Sequence, residues 1–443
     1  MKDLTKGNIS KVLLQFAIPI LIGQIIQLFY GLTDTWVIGR LLGDNALASV
    51  ASVTPISDLI VGFLIGITNG FAVIAARFYG AKEADNLNKT FAATLTFGTA
   101  ITLLLTILSV SFLPQILNLI NMSKEHQVTG TAYIKVILFG MIISMLYNVF
   151  ASTLRAIGDT IAPLIFLIVS AVLNILLDFL FIGPLNMGVA GASIATLLAQ
   201  LVSVILCVFY IKQKYPLLSL SRKSFTFNKQ LITQLLASGL SMGLMSSLVF
   251  LGTLILQSSI NTFSTNIIVA HYAARKLTSI FMMPFAILGM TMASYCSQNF
   301  GARKFDRIKA GIKQSLTICL IWYVIVLAIT YTIVPYLIKG ITSSNVSEVI
   351  DTASLYLRID SLLYFVAATI SILRNSLQGI GEYITPIVSS TIELIGKFLA
   401  VLFLAPRLQY MGIIITEPIV WVVMVIPLII KIKNSQVFKG QSH

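Results

Sequence analysis

Three polar side chains stand inside long apolar stretches of this sequence: Asp34, Asn174 and Asp178. An ionised Asp at the bilayer centre costs about 2.5–3.5 kcal/mol on insertion scales, so an acid in such a stretch is a functional candidate. Gln27 and Tyr30 precede Asp34 by seven and four residues, which puts all three on one helical face. Asn174 and Asp178 are four apart and share a face of their own helix. Gathered together, two carboxylates and an amide offer the oxygen ligands that suit a hard cation such as sodium. Two close carboxylates equally suit a proton, because like charges oppose double ionisation. The residues leave both ions open, and an inter-helix hydrogen-bond pair is the structural alternative for Asn174 and Asp178. Pro19 removes a backbone donor upstream of Asp34 and is expected to kink that helix.

A second intramembrane group is Glu393 and Lys397, spaced for a helical ion pair. Glu417-Pro418 marks either a broken helix or a polar helix contact. Asn148, with Gln27 and Tyr30, is a candidate for substrate contact. Asp58 and Asp360 lie nearer the ends of their stretches and are read as solvated.

The elements that carry these residues follow from composition. Of 443 residues, 57% are apolar and 10% charged, and mean hydropathy is +0.93. A soluble domain has about 45–50% apolar and about 25% charged residues, so an ordinary soluble protein is excluded. Twelve apolar runs are long enough to cross a hydrocarbon core of about 30 Å. They cover 13–38, 46–76, 90–120, 131–153, 160–182, 188–211, 231–257, 266–295, 310–338, 351–375, 384–404 and 411–430. The first is expected to remain uncleaved, since no A-x-A site follows it. Cys207, Cys296 and Cys319 lie in apolar helical sequence and His126, His271 and His443 are scattered, so neither disulfides nor a zinc site are expected.

The net charge of +14 is mostly orientation. Lys2, Lys6, Lys11, Arg77, Lys82, Lys89, the Lys212–Lys229 segment, Arg303, Lys304, Arg307, Lys309, Lys431, Lys433 and Lys439 fall in alternate loops. The opposite loops hold Arg40, Lys124, Lys339 and Arg407. Both termini are therefore expected in the cytoplasm, and the basic excess does not point to nucleic acid.

The chain also repeats. Arg77-Phe-Tyr-Gly-Ala-Lys-Glu-Ala-Asp85 resembles Gln298-Asn-Phe-Gly-Ala-Arg-Lys-Phe-Asp306, at an offset of 221. Leu154-Arg-Ala-Ile-Gly-Asp-Thr-Ile-Ala-Pro163 resembles Leu377-Gln-Gly-Ile-Gly-Glu-Tyr-Ile-Thr-Pro386, at an offset of 223. An even number of spans per repeat gives two parallel six-helix halves, an arrangement of alternating-access transporters. The expected division is an N-lobe over 1–211, a cytoplasmic linker over 212–230 and a C-lobe over 231–443. At these offsets Asp34 corresponds to Ile255, Asn174 to Lys397 and Asp178 to Val401, so the halves differ chemically. Lys397 either stands as a tethered cation in place of a coupling ion or forms a structural pair with Glu393.

Together, Gly31-Leu-Thr-Asp34 with Gly39, the Gly80-Ala81 and Gly301-Ala302 loops, Gln298-Asn299 and Leu154-Arg-Ala-Ile-Gly158 carry a family resemblance. Asn174-Ile-Leu-Leu-Asp178 and Glu417-Pro418 with Trp421 complete it. The sequence resembles the multidrug and toxic compound extrusion (MATE) transporters over nearly its whole length, with a DinF-like bacterial pattern of acids in the first half. The resemblance implies an all-α integral membrane fold of twelve transmembrane helices, with two lobes in a V. It implies H+ or Na+ antiport of amphipathic or cationic drug-like compounds, coupled in the N-lobe. Thr196 matches a hydroxyl position of that site, and a sodium ion would sit at Asp34, Asn174 and Asp178. The span Gly239–Gln257 lacks the acid of the NorM-like branch, which argues against a second ion site there. A multi-pass monomer of the bacterial cytoplasmic membrane, with no cofactor, is expected.

The alternative within the same superfamily is a flippase of lipid-linked precursors, which more often has extra spans and a strongly basic cavity. An enzyme is not expected: no nucleophile–base pair, H-E-x-x-H or G-x-x-x-x-G-K-[ST] occurs.

Overall fold

The computed structural model describes residues 3–119, 122–342 and 346–439. Among them the secondary structure is helical, without a strand. Twelve spans follow in order: α1 (Ile9–Leu42), α2 (Asp44–Ala81), α3 (Ala84–Ser111), α4 (Lys124–Phe139 with Met141–Ala156), α5 (Ile161–Ile182) and α6 (Gly188–Lys214). After the linker come α7 (Lys229–Ile260), α8 (Thr265–Gly301), α9 (Phe305–Thr332), α10 (Ser347–Ser361 with Tyr364–Gly379), α11 (Ile384–Leu408) and α12 (Tyr410–Asn434). Ten are long and apolar enough to cross a membrane as single helices. The other two, α4 and α10, do so as pairs bent by 45° and 51°. Outward rows such as Leu103, Leu104 and Ile107 on α3, and Leu320, Ile321 and Val324 on α9, are exposed, as lipid-facing residues must be.

The repeat is written in the backbone. Lys82 and Arg303, equivalent at the first offset, both take positive φ, at 61° and 55°. Gly158 and Gly381, equivalent at the second, do the same at 89° and 95°. Each stands just past a helix and the next residue closes a six-residue ring: Glu83 N–H to Phe78 O, Lys304 to Asn299, Asp159 to Leu154 and Glu382 to Leu377. These are Schellman caps, and the left-handed residue is what lets the last carbonyls be satisfied. Short helices Leu113–Leu119 and Val334–Thr342 follow α3 and α9 in the same register of the repeat.

Two compact units emerge, and their edges differ from the expected lobes. One is mainly Ile18–Gly243; the other joins Leu4–Ala17 to the chain from Leu244 onward. In the first, the start of α7 lies backbone to backbone on α2. A Cβ on Gly66 or Gly70 would meet the Met242–Gly243 or Ser238–Gly239 backbone, and Ser238 Oγ donates to Gly70 O at 2.7 Å. Small residues thus fix half of α7 where the charged linker suggested a boundary. In the second unit, Gln298 and Asn299 of the repeated motif hold the N-terminal segment. Leu4 N–H donates to Gln298 Oε1 at 3.1 Å, Asn299 Nδ2 to Leu4 O at 3.2 Å, and Lys304 Nζ to Thr5 O at 2.8 Å.

The α4–α5 loop of the first unit is locked by Asp159. Its carboxylate accepts from Tyr215 Oη at 2.5 Å, Tyr210 Oη at 2.9 Å and Ala162 N–H at 3.1 Å. Burial alone would raise this carboxyl, but these donors and the Lys214 ammonium hold it below its ordinary value. A depressed folded-state pKa gives stability that is present above the unfolded value and lost as pH falls through the folded one. The thermal midpoint in detergent is therefore expected to drop on acidification. Asp159→Asn should cost about 1.5–3 kcal/mol at neutral pH and remove that part of the acid dependence. An acid dependence identical to wild type would refute the assignment. At the repeat position, Glu382 pairs with Lys431 at 3.0 Å.

Candidate functional site

The first unit brings Asp34 of α1, Asn174 and Asp178 of α5 and Thr196 of α6 together. Asn174 and Asp178 are fully buried and Asp34 is half-buried. An Asn amide is oriented by its hydrogen bonds. Placed so that donors face acceptors, Asn174 Nδ2 donates to Asp34 Oδ1 at 2.7 Å and to Asp178 Oδ2 at 3.2 Å. Its oxygen accepts from Thr196 N–H at 3.2 Å. The carboxyls of Asp34 and Asp178 are within hydrogen-bond reach of each other, and Tyr30 reaches Thr196. Tyr133 of α4 lies in the electrostatic range of both acids. Asp178 Oδ1 is buried without a donor. Among the described residues no Lys, Arg or His pairs with either acid. Two carboxyls bridged by one neutral amide thus sit buried or half-buried, with hydroxyl-bearing neighbours and, among the described residues, no fixed cation.

Other expected site residues are placed less centrally. Gln27 is exposed one turn from Tyr30 and accepts from Gln24 Nε2 at 2.9 Å. Asn148 Nδ2 donates to Ser144 O at 2.8 Å, and no hydrogen bond among the described residues joins it to the acids. Pro19 lies inside an α1 that runs as one helix from Ile9 to Leu42. The sharp bends fall in α4 and α10.

The second unit holds a larger charged group than the Glu393–Lys397 pair suggested. Lys397 Nζ lies 2.9 Å from Glu393 Oε1 and 3.2 Å from Glu417 Oε1. Glu417 Oε2 accepts from Arg275 Nη1 at 2.5 Å, and Arg374 Nη2 lies 3.8 Å from Glu393 Oε2. Charges therefore alternate from Arg374 on α10 through Glu393 and Lys397 on α11 and Glu417 on α12 to Arg275 on α8. Asp360 was expected to be solvated; instead it is fully buried, with Oδ2 3.5 Å from Thr278 Oγ1 and Oδ1 without a donor. It precedes the α10 bend by two residues. Pro418 stands in the first turn of Thr416–Asn434, after a break at Ile415, where a missing N–H is least costly.

The MatE family model matches twice, over residues 19–180 and 241–402, which together exceed half the chain and fall one on each repeat. The chain belongs to the MATE transporter family. MATE relatives include the probable multidrug resistance protein YoeA of Bacillus subtilis strain 168, 26% identical over 94% of this chain and 91% of that protein. The multidrug export protein MepA of Staphylococcus aureus strain NCTC 8325 is 23% identical over 85% and 83%. A crystal structure of MATE in the bent conformation superposes with a TM-score of 0.89 at 20% identity, covering 99% of this chain and 98% of the other. An outward-facing multidrug resistance MATE transporter gives 0.87 at 21% identity, over 98% of each. These likenesses support a membrane-embedded transporter of small molecules with the twelve-span, two-lobe MATE fold.

Within this MATE fold, sequence reasoning missed Tyr133, Asp360, Arg374 and the role of Arg275. Each meets its partners across helices, so no i,i+4 spacing announces it. The one available signal was charge in apolar sequence, which singled out Glu417 but not what it pairs with.

Proposed function

We propose that this chain is a multidrug exporter of the cytoplasmic membrane, with both termini inside, working as a monomer. It moves amphipathic, drug-like compounds outward by alternating access, against entry of a cation at Asp34 and Asp178. The observation that carries the reading is the pair of buried carboxyls bridged by the Asn174 amide nitrogen, with Asp178 Oδ1 lacking a donor. In this arrangement the amide presents a donor, not a ligand, to the carboxylates. A proton shared between Asp34 and Asp178 would satisfy the orphan oxygen directly. Sodium would instead need Asn174 turned to offer its oxygen, with Thr196 Oγ1 as a further ligand. The geometry therefore favours a proton. Tyr30 and Gln27, on the same face of α1 as Asp34, are assigned to substrate contact, where cation entry and drug release compete. Asn148, on its own face of α4, is a more remote candidate. The names of YoeA and MepA support drug-like substrates.

The test is dye efflux from proteoliposomes with a pH gradient or a sodium gradient imposed separately. Efflux driven by the pH gradient and unchanged by sodium is expected. Efflux driven by sodium alone would replace the proton, and efflux that needs neither gradient would overturn secondary active transport.

A further inference from the structure

Asn174 on α5 and Lys397 on α11 occupy the same place in the two repeats. Each places a nitrogen donor between two carboxylates. Asn174 Nδ2 reaches Asp34 at 2.7 Å and Asp178 at 3.2 Å; Lys397 Nζ reaches Glu393 at 2.9 Å and Glu417 at 3.2 Å. In each half one carboxylate lies four residues away on the same helix. The other comes from a different span, α1 in the first unit and α12 in the second. The distances match, but the charges do not. The first site has two acids and no cation. The second has Glu393 and Glu417 in ion pairs with Lys397, Arg275 and Arg374, so every carboxylate there already faces a fixed cation.

Space is arranged to match. Gly252 of α7 is the repeat counterpart of Gly31 of α1. A Cβ on Gly252 would lie 3.0 Å from Lys397 Cδ, so α7 leaves room for the lysine stem. At Gly31 nothing lies within 4 Å. The glycine of the second repeat is thus needed for close approach of the Lys397 stem, and that of the first is not.

We infer that Lys397 is a resident cation: the second unit carries a permanently filled copy of the ion site of the first, and the residue at this repeat position decides which half takes up a cation from solution. The inference rests on the proposed role of Asp34 and Asp178. It explains why one chain with two similar halves would move its coupling ion through only one of them. A covalently held ammonium cannot be released, so the charge of the second site stays fixed through the cycle. The first alternates between a charged and a neutralised state.

The test compares cation dependence of thermal stability for the purified full-length protein, titrating sodium chloride against choline chloride and, separately, pH. Wild type should be stabilised by proton or sodium by about 2–4 °C, and Asp34→Asn should lose that response. Adding Lys397→Asn to Asp34→Asn should restore a cation response, now from the second unit. Adding Lys397→Arg, which keeps the charge, should not. No response in Asp34→Asn/Lys397→Asn, with wild type responsive, would overturn the inference while leaving the first-unit site intact. A response retained by Asp34→Asn alone would overturn the underlying reading and this inference with it. If the Lys397→Asn protein is not recovered folded, Asn174→Lys decides. It should fill the first site and abolish both the cation response and gradient-driven efflux, whereas Asn174→Gln should keep the response. A cation response of wild-type size in Asn174→Lys would overturn the inference.

Discussion

Asp34→Asn is expected to give a protein that inserts and folds but no longer extrudes dye in response to either gradient. The amide has nearly the shape of the carboxylate, and its oxygen can still accept from Asn174 Nδ2, which lies 2.7 Å from Asp34 Oδ1. What is lost is a charge and a place for a proton. Asp178 then stands as a single carboxylate beside two amides, and the like charge that drove the pair to take up a proton is gone. A cation can shift a conformational equilibrium only by its difference in affinity between the states, and that difference falls toward zero. Drug accumulation should return to the passive level, a loss of the whole driven component. Stability should be unchanged or slightly raised, because one of two neighbouring like charges has gone. Asp34→Ala differs: it strands the Asn174 donor in a buried setting and should cost about 1–3 kcal/mol as well. The check is dye efflux in vesicles beside the thermal midpoint. Wild-type efflux from Asp34→Asn would end the coupling role of this site.

Most of this site was legible because it depends on local spacing. Asn174 and Asp178 share a face at i,i+4, Asp34 is the lone acid of α1, and Thr196 came with the family resemblance. The caps at Lys82 and Arg303, and at Gly158 and Gly381, were legible as repeated strings, since a Schellman cap is a local conformation. The group around Lys397 was legible only in its one local pair. Glu417 and Arg275 are far apart in the chain, and nothing in either segment names the other. Asp360 was misplaced because the 51° bend in α10 falls at Leu362-Leu363, where neither Gly nor Pro marks a break. The compact units divide away from the charged linker for a different reason. The charged linker is conspicuous, whereas the contact that holds the start of α7 is a row of glycines facing Gly66 and Gly70.

Glu417→Gln is expected to be the most destabilising isosteric change in the second unit. Glu417 is buried and holds two cations at once, Arg275 at 2.5 Å and Lys397 at 3.2 Å. The neutral amide can accept from one of them but cannot offset either charge. Removing one partner of a buried ion pair typically costs about 3–5 kcal/mol, because the other charge stays buried without compensation. Arg275, about a third exposed at its side chain, can recover part of that from water; Lys397, at 3% exposure, cannot. Glu393→Gln should cost less, since Lys397 keeps Glu417 and Arg374 lies as far as 3.8 Å from the Glu393 carboxylate. The double change Glu417→Gln/Lys397→Met removes both the acid and the stranded ammonium, leaving Glu393 to Arg374 and the part-exposed Arg275 to water and Tyr356. If the alternating charges act as one unit, the double variant should be more stable than Glu417→Gln alone, a non-additivity of about 0.5–3 kcal/mol. The measurement is the thermal midpoint of the four proteins in detergent, read as a double-mutant cycle. Additive losses would mean that Glu417 and Lys397 stabilise the fold independently. The alternating charges would then be a row of separate contacts, and the closeness of Lys397 to Glu417 would carry no mutual dependence.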